Sequence, residues 1–361
     1  MDITSLVSQS VKNLKPISWG DTSYEESYLV LKWGENPYDP PPDVQNAIAK
    51  CSKVNVYPSQ MGKLKEKIAN YCQVDVGQVC MTNGADKAFR LLAEICMDES
   101  NEVITFTPSY PVFDTAIQAT GGKLKRLALD KNFLIPSVSK IKKAVTLQTK
   151  LIYVCNPNNP TGNFIATSDQ LEELLALDVL VVVDEAYFEF SQKTALSLLA
   201  KYDNLIIIRS LSKTFGLAGL RVAYMLGSPK IIKYFQTFEE SVEVFSIATP
   251  SLSGAIAAFD ALAEIKKNIK LINKTKDTLT AGLAKLGIKV YPSDTSFILF
   301  NLKSQTITAA EFLTKMAKRK IILKDVSIYE GLSPYDCYIG IPKENDIKRV
   351  ISTVKSVVRN Y

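Results

Sequence analysis

Histidine does not occur anywhere in this 361-residue chain. Its absence excludes a Ser-His-Asp triad, a Cys-His dyad, an HExxH zinc site and a histidine-ligated haem. Any acid–base chemistry must therefore use lysine, tyrosine, cysteine, aspartate or glutamate, or be carried by a cofactor. We also predict that the protein has no metal site.

Paired cysteines and long apolar runs are missing as well. The six cysteines form no CxxC pair and lie mostly among apolar neighbours, which is typical of reduced thiols in a cytosolic protein. The first residues lack the basic and apolar segments of a secretory signal, and apolar runs such as 177–183 are far too short to span a membrane. We therefore expect a cytoplasmic protein without a membrane partner.

Neither sign of charge is concentrated in one part of the chain. Lysine and arginine number 43 and aspartate and glutamate 37, so the net charge is +6. A nucleic-acid binder would normally gather its basic residues on one face or arm, so we expect no nucleic-acid partner, although anionic small molecules remain possible. Hydrophobic residues make up 47% of the chain, which suits a globular protein with one large domain and a smaller one.

Short β-branched runs alternate with amphipathic stretches between residues 79 and 226. Strands are predicted at 78–82, 102–106, 150–154, 179–183, 205–209 and 222–225. Helices are predicted at 85–96, 112–120, 168–177 and 195–201. This alternation favours an α/β fold with a mostly parallel sheet between helices, and ligands should bind at the carboxyl ends of its strands.

The rest of the chain shows a different pattern. Residues 230–284 are long and helical, and extended stretches at 289–291, 296–301, 321–323 and 337–341 surround a helix at 309–318. With a final helix at 344–358, this predicts a small α+β C-terminal domain. The first fifty residues are proline-rich and suggest an irregular arm. We therefore divide the chain into 1–45 (arm and part of the small domain), 46–245 (large domain) and 246–361 (connecting helix and small domain).

Two loops follow predicted strands and carry small or amide side chains. Gly84, with Ala85 and Asp86, opens a helix whose amide groups could hold a phosphate, although a plain helix cap explains this segment equally well. The loop NPNNPTG at 156–162 is either an ordinary turn or a rigid mount that holds the amide of Asn159 against a ligand.

Two further segments place charged side chains at strand ends. An apolar strand runs into Asp184, with Tyr187 three residues later, so a carboxylate is delivered to the functional edge of the sheet unless it only caps the next helix. In the segment SLSKTFGLAGLR at 210–221, Lys213 is a potential amine nucleophile rather than a solvated surface lysine. Three of its neighbours could bind a phosphate together: Ser210, Ser212 and Arg221.

Together, the four segments meet the needs of pyridoxal 5′-phosphate. This cofactor requires an amine for its aldehyde, a carboxylate for its ring nitrogen, donors for its phenolate oxygen and an anion site for its phosphate. The amine is Lys213, the carboxylate is Asp184, and Asn159 with Tyr187 supply the donors. The anion site is formed by Gly84, Ser210, Ser212 and Arg221.

The chain also resembles the fold-type I pyridoxal-phosphate enzymes of the class I/II aminotransferase superfamily, and within them the histidinol-phosphate aminotransferases and their close relatives. Segments in the family's order are GENPYDPP at 34–41, YPSQMGKLKEKIANY at 57–71, TNGADKAF at 82–89, TPSYPVF at 107–113, NPNNPTG at 156–162, DEAYFEF at 184–190 and SLSKTFGLAGLR at 210–221. The resemblance implies a fold-type I transferase with a mostly parallel seven-stranded sheet, a small C-terminal domain and a homodimer with shared active sites.

The resemblance implies a role for each matching residue. Lys213 would form the Schiff base with the cofactor, Asp184 would pair with its ring nitrogen, and Tyr187 would contact its phenolate oxygen together with Asn159. Tyr110 would stack on the ring. The residues implied around the phosphate are Ala85, Asp86, Ser210, Ser212 and Arg221, with Tyr57 reaching the phosphate of the neighbouring subunit.

The chain departs from the family where the substrate binds. Family members hold the substrate carboxylate with an arginine in a segment like CLRITVG and have a second arginine in a segment like VRD. Here the segments read YDCYIGI at 335–341 and LKD at 323–325, and no arginine occurs between residues 320 and 348. The first arginine then corresponds to Asp336 or Tyr338. The predicted substrate contacts are therefore Asp336, Tyr338, Lys324 and Asn36.

The missing arginine leaves several functions open. Aspartate and tyrosine cannot reproduce the bidentate contact of a guanidinium with a carboxylate. In an aminotransferase, another cation would therefore have to replace the arginine, and the candidates are Lys324, Lys343 and Arg319. An acidic residue in its place would instead suit a lyase, cyclodehydratase or decarboxylase acting on an amino or guanidino amino acid. Two further alternatives are a non-catalytic sensor and a structural pseudoenzyme. A sensor of this kind would carry an extra DNA-binding domain, and a pseudoenzyme would be expected to lose Lys213 or Asp184.

Overall fold

The computed structural model describes residues 2–17 and 23–359. Its strands are β1 (Leu29–Val30), β2 (Val79–Thr82), β3 (Glu102–Thr107), β4 (Lys123–Ala128), β5 (Thr149–Cys155), β6 (Leu180–Asp184), β7 (Leu205–Ser210), β8 (Ala223–Gly227), β9 (Lys289–Val290), β10 (Phe297–Asn301), β11 (Ile321–Ile322), β12 (Lys324–Asp325) and β13 (Asp336–Gly340). Its α-helices are α1 (Gln9–Lys12), α2 (Pro42–Ala49), α3 (Met61–Cys72), α4 (Ala85–Cys96), α5 (Pro111–Ala119), α6 (Val138–Ala144), α7 (Ser168–Leu175), α8 (Phe188–Ser191), α9 (Pro229–Val242), α10 (Thr249–Asp260), α11 (Leu262–Ala284), α12 (Ala309–Ala317) and α13 (Ile347–Arg359).

A seven-stranded sheet in the order β2-β8-β7-β6-β5-β3-β4 forms the centre of the molecule. Only β8 runs against the other strands of this sheet; β3 to β7 pair in parallel. Side chains on both faces of β5, β6 and β7 are buried, as expected for parallel strands covered by helices. The α/β fold with a mostly parallel sheet, predicted from the alternating pattern, is confirmed.

The sheet contains one strand that the sequence pattern did not predict. The strand β4 lies at the edge of the sheet, and its charged and apolar residues leave it only partly buried. An edge strand pairs on one side only and tolerates charged side chains. The charges of Lys123, Lys125 and Arg126 therefore masked the apolar pattern by which a strand is predicted. The predicted helix at 195–201 is a 3-10 helix at Leu196–Ala200, and α6 was not predicted.

The C-terminal part has a second, antiparallel sheet in the order β12-β13-β10-β9, packed with α11, α12 and α13. The N-terminal segment contributes to this part because β1 pairs in parallel with β11. The proline-rich first fifty residues were expected to form an irregular arm. They contain a helix instead, α2, which packs against α10. The division at residues 45 and 245 stays a prediction.

Among the helices in residues 2–17 and 23–359, none is both long and apolar enough to cross a bilayer.

Candidate active site

A cavity of about 380 Å³ lies at the carboxyl ends of the central strands. Three parallel neighbours deliver side chains to it from their last residues: Cys155 from β5, Asp184 from β6 and Ser210 from β7. Because parallel strands end at one edge of the sheet, residues far apart in sequence meet there. The predicted residues that line the cavity are Ala85, Asp86, Tyr110, Asn159, Asp184, Tyr187, Ser210, Ser212, Lys213, Arg221, Lys324 and Tyr338.

Asp184 is buried at the floor of the cavity and hydrogen-bonded on both oxygens. The hydroxyl of Tyr153 donates to Oδ2 at 2.8 Å, and the backbone N–H of Ala186 donates to Oδ1 at 3.0 Å. Burial raises the pKa of Asp184 to about 6, against the opposing effect of these donors. A cationic ring nitrogen bound beside it would favour the ionised form.

Lys213 enters the cavity from the loop that follows β7. Its Nζ donates to the carbonyl oxygen of Trp33 at 2.7 Å and lies 5.9 Å from the centre of the Tyr187 ring. Burial lowers the pKa of Lys213, while the carboxylate of Glu35 opposes that shift. A larger share of neutral amine follows, and the neutral amine is the nucleophilic and basic form.

Asn159 and Tyr187 form a polar pair on the same wall. The Nδ2 of Asn159 is 3.5 Å from the Tyr187 hydroxyl, and the buried Oδ1 of Asn159 makes no hydrogen bond with the described residues. Burial raises the pKa of Tyr187, so its hydroxyl remains protonated and can donate. The pair therefore has hydrogen-bonding capacity to offer a ligand oxygen.

The N-terminus of α4 and the Arg221 guanidinium lie together at the cavity edge, an arrangement suited to an anion. The amide groups of Ala85 and Asp86 are the first two of this twelve-residue helix, and a helix leaves such amides without internal acceptors. Arg221 donates to Asp86 Oδ2 at 2.9 Å and to Ser212 Oγ at 3.3 Å. Ser210 Oγ accepts from the Ser212 N–H at 3.1 Å, which fixes the adjoining loop.

Gly84 allows this anion site to form. Its backbone has φ +85° and ψ 161°, a conformation essentially restricted to glycine, and an added Cβ would lie 2.6 Å from Arg221 Nη2. We expect Gly84→Ala to lower the free energy of unfolding by about 1–3 kcal/mol and to weaken cofactor phosphate binding about tenfold or more, because the guanidinium is displaced.

Urea unfolding of the apoprotein and absorbance titration with cofactor would measure the two effects. Gly77→Ala is the matched control, since nothing lies within 4 Å of its added Cβ. If both variants bound cofactor as tightly as the wild type, Gly84 would have no part in the anion site.

One wall of the cavity is formed by the C-terminal sheet. Lys324 and Tyr338 lie directly opposite each other on β12 and β13, and both line the cavity. Burial and the like charges of Lys213 and Lys32 lower the pKa of Lys324 to about 8. Tyr338 is buried, and its ring stacks on Phe297 with centres 4.4 Å apart.

Asp336 lies outside the cavity lining and requires a correction. Its buried carboxylate accepts hydrogen bonds from Asn301 Nδ2 at 2.7 Å and from the N–H and hydroxyl of Ser333 at 2.7 and 2.8 Å. These bonds close the turn that leads into β13, so the carboxylate stabilises the fold. Of the two positions left open by the sequence, Tyr338 is the one at the cavity.

Neither Asn36 nor Tyr57 is part of the cavity lining. Asn36 braces the Lys213 loop, with its Nδ2 donating to the carbonyl of Thr214 at 3.0 Å. Tyr57 is 76% exposed and stacks on Phe245 with ring centres 4.7 Å apart. The proposed contact of Tyr57 with a neighbouring subunit stays a prediction.

Several lining residues were missed by the sequence reasoning: Lys32, Trp33, Glu35, Phe89, Cys155, Ala186, Ala218 and Gly219. Lys32 lies two residues before the GENPYDPP segment and Glu35 within it, so the position of that segment was a usable signal. The Sγ of Cys155 lies 3.9 Å from Asp184 Oδ2, and burial raises its thiol pKa. Within residues 2–17 and 23–359, no group of three metal-ligating side chains is placed to bind a metal.

These residues fit pyridoxal phosphate on each of its four chemical requirements. Lys213 supplies the amine, buried Asp184 the carboxylate, and the Asn159–Tyr187 pair the hydrogen-bonding capacity. The absence of a Cβ at Gly84 lets the Arg221 guanidinium lie against the start of α4, where a phosphate would meet both the guanidinium and the helix amides. The site is therefore chemically suited to this cofactor.

Comparison with known proteins gives a consistent result. The sequence pattern of the aminotransferase class I and II family matches residues 26–351. The histidinol-phosphate aminotransferase of Methanosphaera stadtmanae is 33% identical over 342 residues, which span 93% of this chain and 92% of that protein.

Two solved structures share the fold. The histidinol-phosphate aminotransferase from Sinorhizobium meliloti, in complex with pyridoxal-5′-phosphate, has a TM-score of 0.82 at 21% identity and covers 92% of this chain and 91% of its own. The L-threonine-O-3-phosphate decarboxylase from Porphyromonas gingivalis has a TM-score of 0.77 at 21% identity and covers 92% of this chain and 99% of its own. Since one of the two is a decarboxylase, the fold alone does not decide the reaction.

Proposed function

Because the chain belongs to the class I and II aminotransferase family of pyridoxal-phosphate-dependent enzymes, we propose that it transfers the amino group of an amino acid or amine whose reactive carbon lies beside Lys213. The observation that carries this proposal is the convergence of Lys213 and Asp184 on one cavity. The similarity to histidinol-phosphate aminotransferases supports transamination over loss of a carboxylate or a leaving group.

Pyridoxal phosphate, when bound, supplies an aldehyde that condenses with amines and a ring that withdraws electrons from the substrate's α-carbon. The side chains of this protein do the rest. Asp184, held by the Tyr153 hydroxyl, would place a carboxylate beside the ring nitrogen. The Nζ of Lys213 would hold the cofactor, and the lowered pKa of Lys213 would let its amine, once free, accept and return the α-proton.

The hypothesis of a cationic substrate loses its main support. It depended on an acidic side chain at the position of the family's carboxylate-binding arginine. The carboxylate of Asp336 is held in a turn instead, and the residue at the cavity is Tyr338. A tyrosine hydroxyl can donate to an oxyanion but gives a guanidino group no charge to pair with.

A spectral survey of the holoenzyme with amino acids and amines tests the proposal. Transamination in the absence of an acceptor should convert the bound cofactor to its pyridoxamine form, which absorbs at a shorter wavelength. Return of the original spectrum with release of carbon dioxide, ammonia or water would indicate a lyase or decarboxylase instead. A holoenzyme whose spectrum no amine or amino acid changes would contradict any catalytic role.

We also propose that the functional unit is a homodimer. Exposed apolar side chains cluster beside Tyr57: Val54, Val56, Val244 and Phe245. An exposed apolar cluster of this kind is typical of an association surface. The family resemblance implies that Tyr57 would reach the cofactor phosphate of the neighbouring subunit. Relatives in the family are typically dimeric, which supports the same arrangement.

Tyr57→Phe should weaken cofactor binding about tenfold while leaving the dimer intact, because only the hydroxyl contact to the phosphate is lost. Sedimentation velocity would give the oligomeric state, and absorbance titration the dissociation constant. Tyr234→Phe removes another exposed tyrosine hydroxyl, so it serves as the control. A wild-type protein that sediments as a monomer at micromolar concentration would contradict the proposal.

A further inference from the structure

Thr214 follows Lys213 directly in the loop after β7, and it is buried while Lys213 lines the cavity. Both its side chain and its backbone are held by other segments. The Thr214 hydroxyl donates to Glu189 Oε2 at 2.7 Å, and its carbonyl accepts from Asn36 Nδ2 at 3.0 Å. The backbone that carries Lys213 is therefore fixed on two sides.

Glu189 is the second residue of α8, the short helix that begins directly after Tyr187. The hydrogen bond between Thr214 and Glu189 thus joins the segment that carries Tyr187 to the loop that carries Lys213. Across the cavity, Lys213 Nζ lies 5.9 Å from the centre of the Tyr187 ring. Loss of this one buried hydrogen bond would therefore change the position of the amine relative to the Tyr187 wall.

The carboxyl of Glu189 is not needed to neutralise the buried guanidinium of Arg209. The Nε and Nη2 of Arg209 donate to Glu185 Oε2 at 3.0 and 2.9 Å. Glu189 is 5% exposed, and burial raises its pKa against the opposing charge of Arg209. Tyr71 is a further neighbour, since burial and the charge of Glu189 raise the pKa of its hydroxyl. A second carboxyl in this interior is unfavourable unless it is hydrogen-bonded, and the Thr214 hydroxyl supplies such a bond.

We propose that Glu189 and Thr214 are positioning residues for Lys213, because their hydrogen bond fixes the loop so that the Lys213 amine meets the aldehyde of the cofactor. This inference rests on the proposed function, in which Lys213 attaches the cofactor. Neither positioning residue lines the cavity, so both act through the backbone of Lys213. A displacement of about 1 Å at a reacting group can cost about 100-fold in rate, so one hydrogen bond outside the cavity is enough to matter.

The test compares two ligands of the full-chain apoprotein by stopped-flow absorbance and titration. Attachment of pyridoxal 5′-phosphate joins its aldehyde carbon to the Lys213 nitrogen and releases a water molecule. Pyridoxamine 5′-phosphate has the same ring and phosphate but carries an amine in place of the aldehyde, so it binds without attachment. A positioning role affects the first ligand selectively, whereas damage to the whole site affects both.

Thr214→Val removes the hydroxyl and keeps the branched shape, and Thr214→Ser keeps the hydroxyl. We expect Thr214→Val to slow the appearance of the attached-cofactor absorbance about tenfold or more, with the dissociation constant of pyridoxamine 5′-phosphate changed by less than about threefold. Thr214→Ser should attach the cofactor within about threefold of the wild-type rate, since the donor to Glu189 is retained.

Variants of Glu189 test the same bond from its other end, and they keep the test decisive if Thr214→Val does not fold. Glu189→Gln retains an oxygen that can accept from Thr214 and should attach the cofactor within about threefold of the wild-type rate. Glu189→Leu removes the acceptor and should slow attachment as Thr214→Val does. The double variant of Thr214→Val and Glu189→Leu should be no slower than either single variant, because both remove one shared interaction.

Thr275→Val is the matched control, since Thr275 is also buried and its hydroxyl makes no hydrogen bond with a described residue. It should leave both ligands unaffected. Equal losses for the two ligands in Thr214→Val and Glu189→Leu, or attachment at the wild-type rate in both, would overturn the positioning role. Failure of the proposed function would look different, because the wild-type apoprotein would then develop no attached-cofactor absorbance.

Discussion

Replacing Lys213 with alanine is expected to lower turnover by about 10³-fold or more. The substitution removes the amine that attaches the cofactor and the base that moves the substrate proton, and a positioned base alone typically contributes 10²- to 10⁴-fold. The Nζ of Lys213 has one backbone partner, the Trp33 carbonyl at 2.7 Å, so its loss should leave the fold intact. Steady-state kinetics and the visible spectrum of the purified protein would measure both effects.

Two further variants make this result specific. Lys213→Arg keeps a positive charge and fills the cavity but offers no amine that can form an imine, so it should be as inactive as the alanine variant. Lys303→Ala removes an exposed lysine of the C-terminal part that does not line the cavity, and should behave as wild type. A Lys213→Ala protein that kept the visible band of an attached cofactor would contradict the assignment.

The sequence predicted the large sheet well where strands are buried on both faces. The run at 179–183 is apolar throughout, and the run at 205–209 is apolar up to its last residue, Arg209; they correspond to β6 and β7. The pattern failed at β4, because an edge strand carries charged residues and its identity depends on the neighbour it pairs with. Pairing partners far apart in sequence are set by tertiary structure rather than by local preference.

The candidate site shows the same division. Residues that follow buried strands, such as Asp184 and Lys213, could be placed from local pattern alone. Lys32 could not, because its position at the cavity depends on the pairing of a two-residue strand with another strand almost 300 residues later. The choice between Asp336 and Tyr338 also required the tertiary structure, because residues two apart on a strand share one face. Tyr338 lies opposite Lys324, whereas Asp336 is held by Ser333 at the start of the strand.

Asp184→Asn is expected to lower kcat by about 10²- to 10⁴-fold, because an amide keeps the shape of the carboxylate but offers no charge to a protonated ring nitrogen. The Tyr153 hydroxyl can turn from donor to acceptor toward the new amide, so the packing of β5 against β6 should persist. Steady-state kinetics would measure the loss. Cys155→Ser is the control, since it alters a neighbour of Asp184 without changing charge.

The same substitution should have the opposite effect on the stability of the apoprotein, and in a pH-dependent manner. Folding raises the pKa of Asp184 from 3.8 to about 6, so between these pH values the folded apoprotein holds a proton that the unfolded chain has released. Its stability therefore falls as the pH rises from about 4 to about 6 and stays lower above that range. Asp184→Asn removes this effect. Urea unfolding should find the variant apoprotein more stable than the wild type by about 1–3 kcal/mol at pH 8, with the difference shrinking toward pH 4. If the wild-type apoprotein were the more stable of the two at pH 8, the buried carboxylate of Asp184 would not destabilise the empty cavity. That result would contradict the view that this carboxylate is held ready for a cationic ring.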